Sequence, residues 1–182
     1  MSTIDYISRQ VARIMRKYDE TDPYRLAKAM RIIVGYEAMG DYPEACKGFF
    51  MYQSRKKLIM INSDLPDVVQ RIILAHEIGH AVLHSKELAT LKAFHDFALY
   101  DTTSRFEYEA NLFAAEYLLD DDEVIDKLND DAFFFGVARE LFVPPELLDF
   151  KFRILKNKGW SLESPIASHG DFLKHITERR DD

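Results

Sequence analysis

Residues 76–80 read His76-Glu77-Ile78-Gly79-His80, two imidazoles four positions apart with a carboxylate next to the first. On an α-helix, positions four apart lie about 40° apart in azimuth and about 6 Å apart along the axis, so both rings can converge on one ion. Glu77 faces another angle, placed to act on water as a general base rather than to bind the ion itself. The chemistry this predicts is metal-assisted hydrolysis. In a chain of this composition the pattern arises by chance in roughly 1 sequence of 70, so its surroundings have to decide. The surrounding segment from Pro66 to Leu83 carries apolar residues at 68, 69, 72, 73, 75, 78, 81, 82 and 83, which predicts a long, largely buried helix. Two histidines and a carboxylate are costly to bury there without a partner. A metal ion is the simplest partner, and inert, hydrogen-bonded core histidines are the alternative.

A catalytic zinc site takes three protein ligands and keeps a fourth position open. His84 is the nearest third candidate, but on a continuing helix it sits about 12 Å along the axis from His76. The extended pattern H-E-x-x-H-x-x-G-x-x-H breaks the helix with glycine, whereas this chain has Leu83 and Lys86 at the corresponding positions. That class is excluded, and His84 is expected to line the pocket or to support a ligand from behind. The segment from Phe106 to Leu119 offers Glu107, Glu109 and Glu116 on an otherwise apolar helix. Glu109 shares a side with Ala110 and Phe113, read as the inward face, and Glu107 lies about 200° from it, on a face expected to be solvated. Glu109 is therefore the expected third ligand. Glu116, about 20° from Glu109 in azimuth but two turns further on, is expected to support the site from behind. An oxyanion would need one more donor, and His84, His95, Tyr108 and Tyr117 are the candidates.

These residues need elements to hold them. Ile4, Ile7, Val11, Ile14, Met15 and Tyr18 recur at helical spacing, predicting a first helix that Thr21-Asp22-Pro23 ends, with a short second helix from Pro23 to Met30. Three runs rich in β-branched and aromatic residues, Arg31–Tyr36, Gly48–Tyr52 and Leu58–Asn62, predict strands, the last two joined by the polar turn 53–57. A strand at Phe97–Tyr100, a helix over 104–119, another beginning in the acidic run 120–123, and helices over 132–142 and 144–157 complete the pattern, with a loosely patterned tail from Gly159. The expected fold is α+β: a small antiparallel sheet packed against the motif helix in a core of residues 1–120, with a helical region over 121–182.

Composition narrows the function. The 182 residues carry 24 Lys and Arg against 31 Asp and Glu, and no basic run exceeds Arg55-Lys56-Lys57, so no nucleic-acid face is indicated. Cys46 is the single cysteine; it offers no disulfide framework, which fits a reducing compartment. With no signal-peptide pattern and no apolar run of membrane-spanning length, a cytoplasmic protein with no membrane contact is expected.

The block Ala75-His76-Glu77-Ile78-Gly79-His80-Ala81-Val82-Leu83-His84, followed by Glu109-Ala110-Asn111-Leu112-Phe113-Ala114-Ala115-Glu116, resembles the ImmA/IrrE family of metallo-endopeptidases over about Arg31 to Leu119. The resemblance implies a zincin-type active-site helix. It also implies zinc held by the two histidines and a downstream glutamate, mapped here onto His76, His80 and Glu109, with Glu77 acting on the water. It implies further a protein substrate of the helix-turn-helix repressor type, as found in phages and mobile elements. Where members commonly carry Met-Pro, this chain has Asp120-Asp121. Residues 137–148 have only the loose rhythm of a helix-turn-helix, and the acidic balance argues against DNA contact. The rival reading is a metal-stabilised anti-repressor that binds its partner without cutting it, using the helical region and Phe133-Phe134-Phe135 as a docking surface. Iron or manganese in place of zinc also stays open, since a site of two histidines and a glutamate is not exclusive to one metal.

Overall fold

The computed structural model describes residues 2–90, 105–129 and 133–166. The strand expected at 97–100, the oxyanion candidate His95 and the tail beyond 166 lie outside the described residues. The elements run α1 (Thr3–Tyr18), α2 (Pro23–Ala29), β1 (Ile32–Glu37), β2 (Gly48–Gln53), β3 (Lys56–Asn62), α3 (Asp67–Leu83), α4 (Ser85–Thr90), α5 (Arg105–Leu118), α6 (Asp121–Asn129), α7 (Phe134–Glu140) and α8 (Pro145–Asn157). The architecture is α+β.

Local chemistry explains most boundaries. The Ser2 hydroxyl accepts the Asp5 backbone N–H at 3.1 Å while the Ser2 N–H donates to the Asp5 carboxylate at 2.9 Å, a reciprocal cap that starts α1. Ile7, Val11 and Ile14 then form its buried stripe. Asp22 caps α2 by accepting from Arg25 N–H at 2.9 Å, with Pro23 in the first turn. At the far end of α3, the carbonyl of Ala81 accepts from Lys57 Nζ at 3.1 Å and from the Ser85 hydroxyl. This satisfies an orphan carbonyl where the helix stops, just before His84.

The sheet departs from the all-antiparallel expectation. β2 and β3 form the expected hairpin, pairing Gly48 with Ile61 and Gln53 with Lys56, and Ser54 and Arg55 both take positive φ in the two-residue turn. β1, however, pairs with β3 in parallel, from Ile32 with Lys57 to Glu37 with Asn62, so the order is β1-β3-β2. The cause lies in the connection over 38–47, which passes around the end of β3 to bring the chain back antiparallel on the other side. Asn62 organises that passage. Its amide nitrogen donates to the carbonyls of Gly40 at 2.6 Å and Cys46 at 2.9 Å, and its amide oxygen accepts from the Met39 and Asp64 N–H groups at 3.1 and 3.0 Å. Asn62 is fully buried, and each of these bonds satisfies a loop group that lacks a sheet partner.

α3 lies on the sheet and α5 lies on α3, with α1 and α8 behind α5. One hydrophobic cluster runs from Ile7 in α1 through Ile59 and Ile61 in β3, Ile78 in α3 and Phe113 in α5 to Phe150 and Ile154 in α8. A partly buried ionic knot adds to it: Lys151 Nζ meets Glu116 at 2.7 Å and Asp121 at 2.5 Å, and Lys158 Nζ meets the same two carboxylates at 2.8 and 2.6 Å. Lys151 is buried, and the two carboxylates compensate its charge. The aromatic run in the helical region divides: Phe134 is buried against Phe152, with ring centroids 5.1 Å apart, while Phe133 and Phe135 are exposed.

Replacing Asn62 by Ala removes four side-chain hydrogen bonds, each partly buried, from the passage around β3. We expect it to lower stability by about 3 kcal/mol, read as a fall in the urea midpoint; an unchanged midpoint would contradict this role.

Candidate metal centre

α3 is buried continuously from Ile72 to Ala81, so the motif's side chains sit inside the protein. α5 passes so close to α3 that a Cβ added to Gly79 would stand 3.1 Å from the Cβ of Phe113 and 3.3 Å from the Cα of Ala110. A side chain there would need Phe113 or Ala110 to give by a few tenths of an ångström, so glycine suits the close approach. On the other side, a Cβ at Gly48 would strike Ile73 at 2.5 Å and the Met60 carbonyl at 2.9 Å, so β2 also comes down tightly on the motif helix.

The approach delivers Glu107. Its carboxylate oxygens lie 3.2 Å from His76 Nε2 and 3.3 Å from His80 Nε2, and the two Nε2 atoms are 3.1 Å apart. Among the described residues, His76, His80 and Glu107 are the group whose ligand atoms converge as a metal site requires. An ion bound tetrahedrally at about 2.0–2.1 Å needs ligand atoms roughly 3.3 Å apart; the two nitrogens lie near that spacing, with Glu107 Oε2 toward His76 and Oε1 toward His80. The donor set of two imidazole nitrogens and one carboxylate oxygen suits zinc and neighbouring divalent metals.

The outer nitrogens are held from behind. His76 Nδ1 lies 2.8 Å from the amide oxygen of Asn111. His80 Nδ1 lies 3.0 Å from His84 Nδ1, and His84 Nε2 lies 3.0 Å from Glu109. His84 thus stands between His80 and Glu109. Glu77 has the Phe50 backbone amide as a hydrogen-bond partner, while its Oε2 is buried without one. An orphaned carboxylate oxygen beside three converging ligand atoms fits a site built for an ion and a water.

Several expected placements differ from the structure. Glu109 does not join the histidine pair: it accepts from His84 and from Arg105 Nε at 2.7 Å, and Glu107, expected in solvent, stands in its place with a side chain 12% exposed. The reason is that α5 is buried from Glu109 to Ala115, so its apolar surface does not single out the face toward α3. That face is the stripe Glu107, Ala110, Asn111 and Ala114, at spacings of three and four. Glu116 lies about 14 Å further along the helix axis than Glu107 and belongs to the Lys151 and Lys158 knot. Tyr117 likewise points away, its hydroxyl donating to the Glu20 carbonyl at 3.1 Å. Of the other oxyanion candidates, Tyr108 packs against Phe150 of α8, with ring centroids 5.6 Å apart. Two signals for the true arrangement were in the sequence: small Ala110 and Ala114, which permit close helix approach, and Glu107 with Asn111, spaced by four like His76 with His80.

Burial sets the electrostatics. It pushes the Glu77 carboxyl up to about 7, against the pull of His76. It pulls His80 down to about 4, despite its hydrogen bond to Glu107. For Glu107 burial acts upward but is outweighed by hydrogen bonds to both histidines, which hold the carboxylate well below its ordinary range. The site thus keeps one firmly ionised carboxylate on two rings and a second, basic one alongside.

Similarity to known proteins extends beyond the site. The Peptidase_M78 family, described as the IrrE N-terminal-like domain, matches residues 27–153. A protein of Bacillus phage phi105 named "Uncharacterized immunity region protein 2" is 33% identical over 145 residues, which span 80% of this chain and 88% of that protein.

The raised Glu77 carboxyl has a stability consequence with a definite sign. Its folded value of about 7 exceeds the 4.5 of a free carboxyl, so its contribution is fully present below about pH 4.5 and lost as pH rises through about 7. In metal-stripped protein, Glu77→Gln is therefore expected to gain on the order of 2 kcal/mol over wild type at pH 8 and much less at pH 5. Thermal melts in chelator at both pH values test this; an equal difference at the two would contradict it.

Proposed function

The chain belongs to the Peptidase_M78 family, with its IrrE N-terminal-like domain, and from that premise we propose that it is a zinc-dependent endopeptidase acting on a protein substrate in the cytoplasm. The observation that carries the reading is the convergence of His76, His80 and Glu107 beside a buried, unpartnered Glu77 oxygen. His76, His80 and Glu107 would hold the ion and Glu77 would be the catalytic residue. Zinc, when bound, supplies Lewis-acid polarisation of a carbonyl and acidification of water.

The remaining chemistry belongs to the chain. Glu77 Oε2 takes the proton of the attacking water, for which a carboxyl raised to about 7 is well matched near neutral pH. The same oxygen then returns the proton to the leaving amine nitrogen. The Phe50 amide holds the Glu77 carboxyl in place for both transfers, so its orientation depends on β2 lying tightly against α3. Residues 1–120 would form the catalytic core and 121–182 the helical region packed on it.

For the substrate, we propose a transcriptional repressor of helix-turn-helix type. The phi105 relative is by name an immunity region protein of a phage, which supports a repressor-related partner. No helix among the described residues is long and apolar enough to cross a membrane, and the net charge of −7 disfavours direct nucleic-acid binding. The competing role, an anti-repressor that binds without cutting, is favoured by the exposed Phe133 and Phe142, 87% and 77% accessible.

Incubating substoichiometric zinc-loaded protein with candidate repressors separates the two. Cleavage predicts fragments accumulating over many turnovers, and Glu77→Gln is expected to lower the rate at least 100-fold while keeping zinc. An intact repressor held in a stoichiometric complex, or Glu77→Gln cutting at the wild-type rate, would overturn the proposal.

A further inference from the structure

Both ligand histidines turn Nε2 toward Glu107, so in the neutral, ligating form each carries its proton on Nδ1. The two outward protons meet different acceptors. His76 Nδ1 faces the neutral amide oxygen of Asn111 at 2.8 Å. His80 Nδ1 faces another imidazole nitrogen, His84 Nδ1, at 3.0 Å. Since His80 donates there, His84 must accept, which leaves the His84 proton on Nε2, 3.0 Å from Glu109 Oε2. The other oxygen of Glu109 takes Arg105 Nε at 2.7 Å. Every proton along Arg105, Glu109, His84 and His80 is then assigned, with no nitrogen left ambiguous.

The setting holds this chain in place. His84 is 2% exposed. Its backbone N–H donates to the His80 carbonyl at 2.9 Å as α3 ends, and its ring lies against Phe106 with centroids 4.4 Å apart and planes inclined by 34°. Glu109 is buried as well, so the carboxylate acts on His84 across little solvent.

We propose that His84 and Glu109 are positioning residues for the metal: they fix the tautomer and orientation of His80 and strengthen its Nε2 as a donor through a carboxylate–imidazole–imidazole relay. The proposal rests on the metal reading above and adds that the two histidines are unequal ligands, His76 backed by a neutral amide and His80 by a buried negative charge. A hydrogen-bonded partner behind a metal-bound histidine is worth about 10- to 100-fold in metal affinity.

The test is zinc affinity of the full chain, read by competition with a chromogenic chelator, together with the absorption spectrum of the cobalt(II) form. His84→Ala and Glu109→Ala are each expected to weaken zinc about 10- to 100-fold and to change the cobalt spectrum. Glu109→Gln keeps an oxygen acceptor for His84 but removes the charge, and is expected to recover only part of the loss. Nitrogen-15 spectra of the zinc-loaded wild type should find the proton of His84 on Nε2 and that of His80 on Nδ1, a readout that needs no variant to fold. Wild-type affinity in both alanine variants, or a His84 proton on Nδ1, would overturn this proposal while leaving the metal site intact. No zinc uptake by the wild type would overturn the metal reading itself.

Discussion

The close contact of α3 with α5 is the constraint from which the site follows. Gly79 lies under Ala110 and Phe113, and even a methyl there would need its neighbours to give by a few tenths of an ångström. At that separation the carboxylate of Glu107 reaches both imidazoles and Asn111 reaches the back of His76. The rest of the fold holds this contact from outside. The sheet supports α3, with Gly48 allowing β2 to approach Ile73 and Glu77. α1 and α8 support α5, the latter through the buried Lys151.

The three carboxylates of α5 divide the work along one helix. Glu107 faces two imidazoles and is held ionised by them. Glu109, two positions on, points to the other side of the pair and supports His84. Glu116 belongs to a different structure, the knot that ties α5 to α6 and α8. A buried carboxylate is stable only where opposite charge or donors meet it, and each of the three has its own partners. Glu77 differs in leaving one buried oxygen unpartnered, the feature on which its proposed role as the base rests.

Much of this was legible in the sequence because short-range rules dominate where the signal was read. Helical spacing in Ile7, Val11 and Ile14, the hairpin flanking Ser54-Arg55, and the burial of α3 all follow from local pattern. The motif helix named two of the three converging residues. What was not legible was long-range. The parallel pairing of β1 depends on how ten loop residues fold around Asn62, which no periodicity reports. The exchange of Glu109 for Glu107 has a related cause: amphipathicity finds an inward face only when another face is wet, and α5 is buried on nearly every side. Glu116 shares its azimuth with Glu109, but two turns of axial distance carry it to the Lys151 and Lys158 knot instead.

The account stands or falls on Glu107. Elemental analysis of purified, dialysed wild type and its Glu107→Gln variant measures this directly, with circular dichroism to establish that both are folded. We expect about one zinc per wild-type chain and essentially none in the variant, because an amide in place of the carboxylate removes the single anionic ligand. Full zinc content in Glu107→Gln would contradict the geometry on which the whole site is built.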